Sequence, residues 1–282
     1  MSTIDQFEST FRSAYRTHYQ PRPFPIREVL VLTDLSEDHD QAFLEEVDQF
    51  FSDMSIRPKL TLVPAHHSKN LDSFLDLLKE KNPDLVCTYR NLHTAYGQYP
   101  YTLGDHVEVL TQVTHVPILL LPRPELIKIK HLKTPQKVIA LTNQLSDHPE
   151  LVDAALGMLA RPGHLILSHV EDDQTFDRYA KVISKIPTLD TESATHAIKE
   201  QLLKEAQEFI ETCQTSIQAH TQEIQVHAEV LLGHQIQAYK ALIDQYQVDL
   251  LVMQTKDDDQ IAMHGLSYPL AIELKDLPLL LL

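Results

Sequence analysis

The clearest apolar run of this chain reads Val29-Leu-Val-Leu-Thr-Asp-Leu-Ser-Glu37. A second stretch with the same pattern reads Val138-Ile-Ala-Leu-Thr-Asn-Gln-Leu-Ser-Asp147. Each run closes on Thr, continues with Asp or Asn, and then offers a serine of the kind that caps helices. The pattern therefore predicts one strand–turn–helix unit that occurs twice, and an internal repeat of this size decides the whole fold.

Further matches follow in the same order. Pro83-Asp-Leu-Val86 matches Val248-Asp-Leu-Leu251, and two Gly-to-Pro segments of equal length precede the last apolar run of each copy, at Gly104 to Pro117 and Gly265 to Pro278. The copies are unequal, because Thr142 lies 109 residues after Thr33 whereas Gly265 lies 161 after Gly104. The second copy thus carries 52 extra residues, enough for one more strand–helix pair and a long loop.

These matches predict four segments. They are an N-terminal helix and proline-rich lead-in over 1–26, a first domain over 27–122 that lacks one strand–helix pair, a linker over 123–136, and a second domain over 137–282 with a helical addition at 171–220.

Composition narrows the class of protein. The 282 residues suit two domains, and the formal charge of −16 repels phosphate backbones and anionic lipid. No apolar stretch approaches the length that crosses a bilayer, and the first residues lack the pattern of a signal peptide. The two cysteines fit a reducing compartment as buried thiols. We expect a cytoplasmic protein without nucleic-acid or membrane partners.

Strands and helices alternate along both copies, and the strands are almost wholly apolar. This pattern predicts an α/β fold with mostly parallel sheets covered on both faces. The terminal run Leu279–Leu282 and its counterpart Ile118–Leu121 would both lie at sheet edges, which invite pairing. We therefore expect these two strands to meet in an internal pseudo-dimer, an arrangement that still leaves room for a homodimer.

The set of segments resembles the universal stress protein family in its tandem form. The residues on which the resemblance rests are Thr33 to Glu37, Asn143 with Ser146, Gly233 after a strand, the two Asp-Leu segments and the Gly-to-Pro pairs. The resemblance covers nearly everything from Arg27 to Leu282. It implies two Rossmann-like, adenine-nucleotide alpha-hydrolase-like domains and a role in stress response.

The family divides into members that bind ATP and members that do not. The resemblance implies that binders carry a glycine loop after the fourth strand, G-x-x-G followed nine residues later by Gly and Ser or Thr, whose backbone amides approach the phosphates. The first copy keeps only Gly104, which Asp105 follows, and the second has Gly265 followed by Leu266. The second loop also contains three consecutive acids at 257–259, and a carboxylate aimed at triphosphate costs several kcal/mol. Both phosphate sites are predicted to be lost.

A vestigial or alternative nucleotide pocket would be marked by Asp34, Gly104, Asn143, Gly233 and Gly265. Asp34 matches the acid that contacts adenosine in the family. Asp34 and Asn143 also lie where open α/β sheets bind ligands, outside the carboxyl ends of the strands. The alternative is that each residue caps the next helix or shapes a turn, and the missing glycine loop favours that alternative.

Other chemistry lacks a supporting pattern. The acids at 257–259 admit a magnesium site or a solvated loop, and sixteen histidines form no recognisable zinc spacing. No Gly-x-Ser-x-Gly turn is present. We therefore predict a non-catalytic stress protein without a cofactor that binds partner proteins or a small ligand. The alternatives are an ATP-binding signalling protein with a modified pocket and, behind it, a metal-dependent hydrolase.

Overall fold

The structure is a computed structural model of the chain. It describes residues 19–54, 57–94, 101–124, 132–141, 148–188, 190–255, 263 and 265–282. The helix expected in the N-terminal segment lies outside the described residues, which begin at Tyr19. The turn that contains Asn143 and Ser146 also lies outside them.

Nine strands are described. They are β1 Glu28–Leu32, β2 Lys59–Val63, β3 Leu85–Tyr89, β4 Ile118–Leu121, β5 Lys137–Leu141, β6 Gly163–Asp172, β7 Ile224–Gly233, β8 Leu250–Met253 and β9 Leu279–Leu281. Nine helices are described between them. They are α1 Glu37–Phe50, α2 Ala65–Ser68, α3 Leu71–Lys81, α4 Asp105–Val113, α5 Pro149–Met158, α6 Asp173–Ile183, α7 Thr191–His220, α8 Gln235–Tyr246 and α9 Ser267–Glu273.

The described strands form one sheet in the order β2-β1-β3-β4-β9-β8-β5-β6-β7. All neighbours are parallel except β4 and β9, which run antiparallel with Leu119 opposite Leu280. The α/β fold with a mostly parallel sheet is therefore confirmed, as is the meeting of the two terminal strands. Among the described residues, 27–122 contribute four strands and 137–282 contribute five.

The strands are apolar because helices cover both faces of the sheet. Every residue of β3, β4, β8 and β9 is buried. The two aspartates of the matching Asp-Leu segments make equivalent contacts. Asp84 accepts hydrogen bonds from the backbone of Arg27 and Glu28 at 2.8 and 3.0 Å, and Asp249 accepts from Gln136 and Lys137 at 3.0 and 2.9 Å. Each acid thus fixes the chain that enters the first strand of its copy.

The helices follow the apolar periodicity, with one difference at the start of α1. Ser36 precedes α1 as expected, but its side chain does not cap the helix; its hydroxyl instead lies 2.7 Å from Nδ1 of His39. Within the helical addition expected over 171–220, β6 extends to Asp172 and α6 fills the eleven residues after it. Asp172 caps α6 by accepting from the backbone of Thr175 at 3.1 Å, which explains the early start.

The described part of the lead-in crosses the second half of the chain before it enters β1. The Tyr19 hydroxyl donates to Asp153 on α5 at 2.6 Å, and the Ser216 hydroxyl on α7 donates to the Tyr19 carbonyl at 2.6 Å. Phe24 packs against Gly157, where an added Cβ would lie 2.9 Å from its side chain. The lead-in therefore ties the first strand to α5 and α7.

The core runs continuously along the sheet under both halves. Cys87 and Cys213 are buried free thiols, and burial raises the pKa of each, that of Cys213 to about 12. Both therefore behave as small apolar side chains, as expected. None of the described helices is both long enough and apolar enough to cross a bilayer.

Candidate functional site

The first candidate site forms where β1 and β3 end side by side. Val31 lies opposite Cys87 in the parallel register, so Thr33 and Asp34 leave the sheet beside Tyr89. The buried Tyr89 hydroxyl donates to Oδ1 of Asp34 at 2.5 Å and accepts from the Asp34 backbone amide at 2.9 Å. Burial and the hydrogen bond to Asp34 raise the pKa of Tyr89 far above its usual value. The phenol therefore stays protonated and keeps donating to the carboxylate.

The remaining contacts of Asp34 also come from the protein itself. The His93 backbone amide donates to Oδ2 of Asp34 at 2.8 Å. The Arg123 guanidinium lies 3.6 Å from Oδ1, with 7% of the arginine side chain and 12% of the aspartate side chain exposed. The hydrogen bonds described for its carboxylate come from Tyr89 and His93 and not from α1, so of the two structural roles predicted for Asp34, capping a helix and shaping a turn, it does not fill the first. It holds the loop after β3 in place.

The loop after β3 fills the space beside Gly104. Asn91 and His93 both adopt left-handed backbone, at φ 57° and 60°, and Leu92 is buried. Gly104 has φ 90°, and a Cβ there would lie 2.7 Å from Cα of Asn91. The Asn91 amide donates to the Leu103 carbonyl at 2.8 Å. Glycine is thus required at 104 by the approach of the chain's own backbone.

The Arg123 side chain binds the backbone of the same loop. Its guanidinium donates to the carbonyl of Asn91 at 2.9 Å and to that of Arg90 at 3.3 Å, and it lies over the Tyr89 ring at 5.2 Å. The Arg123 guanidinium therefore contacts Asp34, the loop after β3 and the Tyr89 ring at once.

Arg90 turns away from this site toward the second half. Its buried guanidinium donates to the carbonyls of Ala271 at 2.7 Å and Leu274 at 2.8 Å, and more weakly to that of Lys275 at 3.3 Å. These carbonyls belong to the carboxyl end of α9, where a cation is favourable. Arg90 therefore joins the loop of the first copy to the last helix of the second.

Two histidines lie behind the loop. The His93 ring has Nε2 at 2.8 Å from the Ser68 hydroxyl, and His106 has Nε2 at 2.8 Å from the Ser68 carbonyl. The two rings are 4.9 Å apart. Burial, and then the neighbouring His106, lower the pKa of His93, so the neutral ring is favoured. Among the residues that the structure describes, no group of three or more potential ligands converges on a metal site.

The structure describes only part of the corresponding site in the second half. Gly265 has φ 56° and precedes α9. Leu266 follows Gly265, so the position after the glycine carries no hydroxyl. The next residue, Ser267, donates its hydroxyl to the Gln254 carbonyl at 2.5 Å. Gly233 ends β7 with open space around its Cα, so no close approach requires a glycine there. Asn143 and the acids at 257–259 fall outside the described residues.

A further polar group lies on the outer strands β6 and β7. Nδ1 of His164 is 3.1 Å from Nε2 of His227, and the Tyr246 ring lies 5.2 Å from the His227 ring. The Tyr246 hydroxyl donates to Glu229 at 2.5 Å. His164 thus pairs across the sheet and not with His169. Sequence reasoning missed this partner, as it missed Tyr89, Arg90 and Arg123, because each contact depends on strand order.

Three solved structures share this architecture. A universal stress protein of Archaeoglobus fulgidus aligns with a TM-score of 0.51 at 13% identity, over 92% of this chain and 97% of that one. The chain has the fold of the universal stress proteins. A candidate universal stress protein of Pseudomonas aeruginosa aligns at TM-score 0.50 and 14% identity, over 92% of this chain and 94% of that one. A second Pseudomonas aeruginosa protein, of unknown function, aligns at TM-score 0.50 and 15% identity, over 92% and 93%.

No family model matches the chain, and no curated protein matches it either. The likeness to the universal stress proteins therefore concerns the fold, and the residues of the site must carry any statement about function.

Proposed function

We propose that this chain is a non-catalytic, cytoplasmic stress-response protein that acts by binding partner proteins or a small ligand. In this proposal its two copies of the universal stress protein fold hold no ATP and no other cofactor. The protein would bind neither nucleic acid nor membrane, in keeping with its charge of −16.

One observation carries the proposal. The acid that would contact adenosine, Asp34, already has the Tyr89 hydroxyl on one oxygen, the His93 amide on the other and the Arg123 cation beside it. A nucleotide that used this carboxylate would compete with those contacts, in which each hydrogen bond to the charged acid is worth about 1.5–3 kcal/mol. The backbone of Asn91 also occupies the approach to Gly104.

Exposed apolar side chains give independent support for binding. Tyr179 and Val182 on α6 are 54% and 57% exposed, and Ile186 just after it is 40% exposed. Neighbouring apolar residues of this size on a protein surface are typical of interaction sites.

Calorimetric titration of the metal-stripped protein with ATP, with and without Mg²⁺, tests the proposal. We expect no heat of binding at micromolar ATP. Micromolar binding that Asp34→Asn abolishes, while Asp76→Asn on the exposed face of α3 leaves it intact, would show that the first pocket is open and favour the ATP-binding alternative.

The same preparation tests the absence of catalysis. A screen of phosphate esters and nucleic acids with added divalent metals should give no turnover. Metal-dependent hydrolysis that co-purifies with the protein and is lost on mutation of this chain would replace the proposal with the hydrolase alternative.

A further inference from the structure

Two histidines face each other across the outer strands of the sheet, at the amino ends of the strands, whereas the candidate sites lie at the carboxyl ends. His164 is the second residue of β6 and lies opposite Gln225 of β7, and His227 lies two residues further along β7. Alternate residues of a strand share a face, so the two imidazoles project from the same side of the sheet. Both histidines are half-buried, so solvent reaches the pair.

The distance between the facing nitrogens suits a shared metal ion. Nδ1 of His164 and Nε2 of His227 are 3.1 Å apart. An imidazole nitrogen binds Zn²⁺ at about 2.0–2.1 Å, so two such bonds from these nitrogens would meet at an angle of about 100°. That angle lies between those of square-planar and tetrahedral coordination, about 90° and about 109°, which Cu²⁺ and Zn²⁺ prefer. An ion could therefore replace the hydrogen between the two rings with little movement of either strand.

The protonation state of the pair favours the binding of a cation. A hydrogen bond between two imidazoles needs an unprotonated nitrogen on one of them. Burial, and then the neighbouring His164, lower the pKa of His227, while Glu229 raises it with a smaller effect. The neutral ring, which is the form that binds metals, therefore prevails near neutral pH.

Neighbouring groups fix the pair and add negative charge. Glu229 lies two residues after His227 on the same face of β7, and the Tyr246 hydroxyl donates to its carboxylate at 2.5 Å. The Tyr246 ring lies 5.2 Å from the His227 ring. Within the part of the chain that the structure describes, no third protein ligand converges on the pair. Water would therefore complete the coordination of an ion, and Glu229 would act through its charge alone.

We propose that His164 and His227 bind one divalent transition-metal ion, Cu²⁺ more tightly than Zn²⁺, through Nδ1 and Nε2 respectively. Both ions accept imidazole ligands, and their order is the general one for nitrogen sites. The ion joins β6 to β7 at their amino ends and is exchangeable, because water supplies its remaining ligands. It takes no part at the candidate sites and catalyses nothing, so this inference goes beyond the proposed function and does not depend on it.

Calorimetric titration of the metal-stripped full chain with Cu²⁺, and separately with Zn²⁺, tests the site near neutral pH. His164→Gln and His227→Gln each remove one ligand, and each should weaken the tightest Cu²⁺ binding by at least about tenfold. The matched control is His66→Gln combined with His67→Gln, which removes two exposed imidazoles whose rings are 4.1 Å apart. We expect this control to leave the tightest binding unchanged. Circular dichroism without metal checks that each variant is folded.

The position of the ion provides a second measurement that needs no variant. Crystals of the natural chain with Cu²⁺ should show anomalous scattering at the copper edge between the rings of His164 and His227. Copper found only at other histidines would overturn the proposal, and so would the absence of any Cu²⁺ binding. The same conclusion would follow if the tightest binding survived either single substitution or fell equally in the control.

Discussion

The most direct test of the structural role of Asp34 is the stability of the ligand-free protein after Asp34→Ala. The substitution removes the acceptor of the Tyr89 hydroxyl at 2.5 Å and of the His93 amide at 2.8 Å. It also removes the carboxylate from beside Arg123 at a site where the aspartate side chain is 12% exposed. Each charge-assisted bond contributes about 1.5–3 kcal/mol, and such losses are not additive, so we expect the free energy of unfolding to fall by about 3–5 kcal/mol.

If Asp34 were instead reserved for binding a ligand, its removal would have the opposite effect on the stability of the ligand-free protein. Residues held ready for a ligand often cost the free protein stability, so their removal is neutral or stabilising. Asp34→Asn retains one acceptor oxygen, and we expect roughly half of the loss. Asp76→Ala is the matched control, because its carboxylate is 79% exposed and its pairing with Lys79 contributes at most about 0.5 kcal/mol.

Urea unfolding followed by circular dichroism and tyrosine fluorescence gives the measurement, since the chain contains ten tyrosines and no tryptophan. The comparison uses the midpoint at unchanged slope, so that a shift reports stability. A change of less than about 1 kcal/mol for Asp34→Ala would refute the structural role assigned to this carboxylate.

Three other predictions rest on single contacts. Arg90→Met should lower the free energy of unfolding by about 3 kcal/mol in urea titrations, because the carbonyls at the end of α9 lose their donor. The same change at the exposed Arg57 is the control and should cost less than about 0.5 kcal/mol. Gly104→Ala should lower the melting temperature because its Cβ would strike the backbone at 2.7 Å, while Gly233→Ala, which meets nothing within 4 Å, should leave it unchanged. Burial lowers the pKa of His227 in the folded chain, so stability should be full above about pH 6.5 and decline as the pH falls below it, with a shallower decline in His227→Gln.

Periodicity was enough to predict most of the elements. The alternation of strands and helices that the sequence predicts is present, for example in the strand at 59–63 and the helices at 71–81 and 235–246. These segments have sharp local signals, such as the Asn70 side chain that accepts from the Ser73 amide at 3.0 Å and caps its helix. The pairing of β4 with β9 followed from the same reasoning, because two apolar terminal strands leave few other solutions.

The candidate site could be predicted only in part. Asp34 was recognisable from its place after a buried strand, but its partner Tyr89 lies 55 residues away and meets it only because β3 is the neighbour of β1. Arg90 reaches the carbonyl of Ala271 across 181 residues and across the junction of β4 and β9. Sequence spacing carries no signal for such contacts, since they arise from strand order and not from local periodicity.

The side chains at the end of β3 and in the loop after it account for both the contacts of Asp34 and the union of the two halves. Tyr89 and the turn through His93 hold Asp34, and Arg90 holds the end of α9. A loop of glycines could supply none of these side chains. Glycine at position 90 would remove the donor to the carbonyls of α9 and would leave Asn91 against Gly104. The loop after β3 is thus a structural joint between the two halves of the sheet.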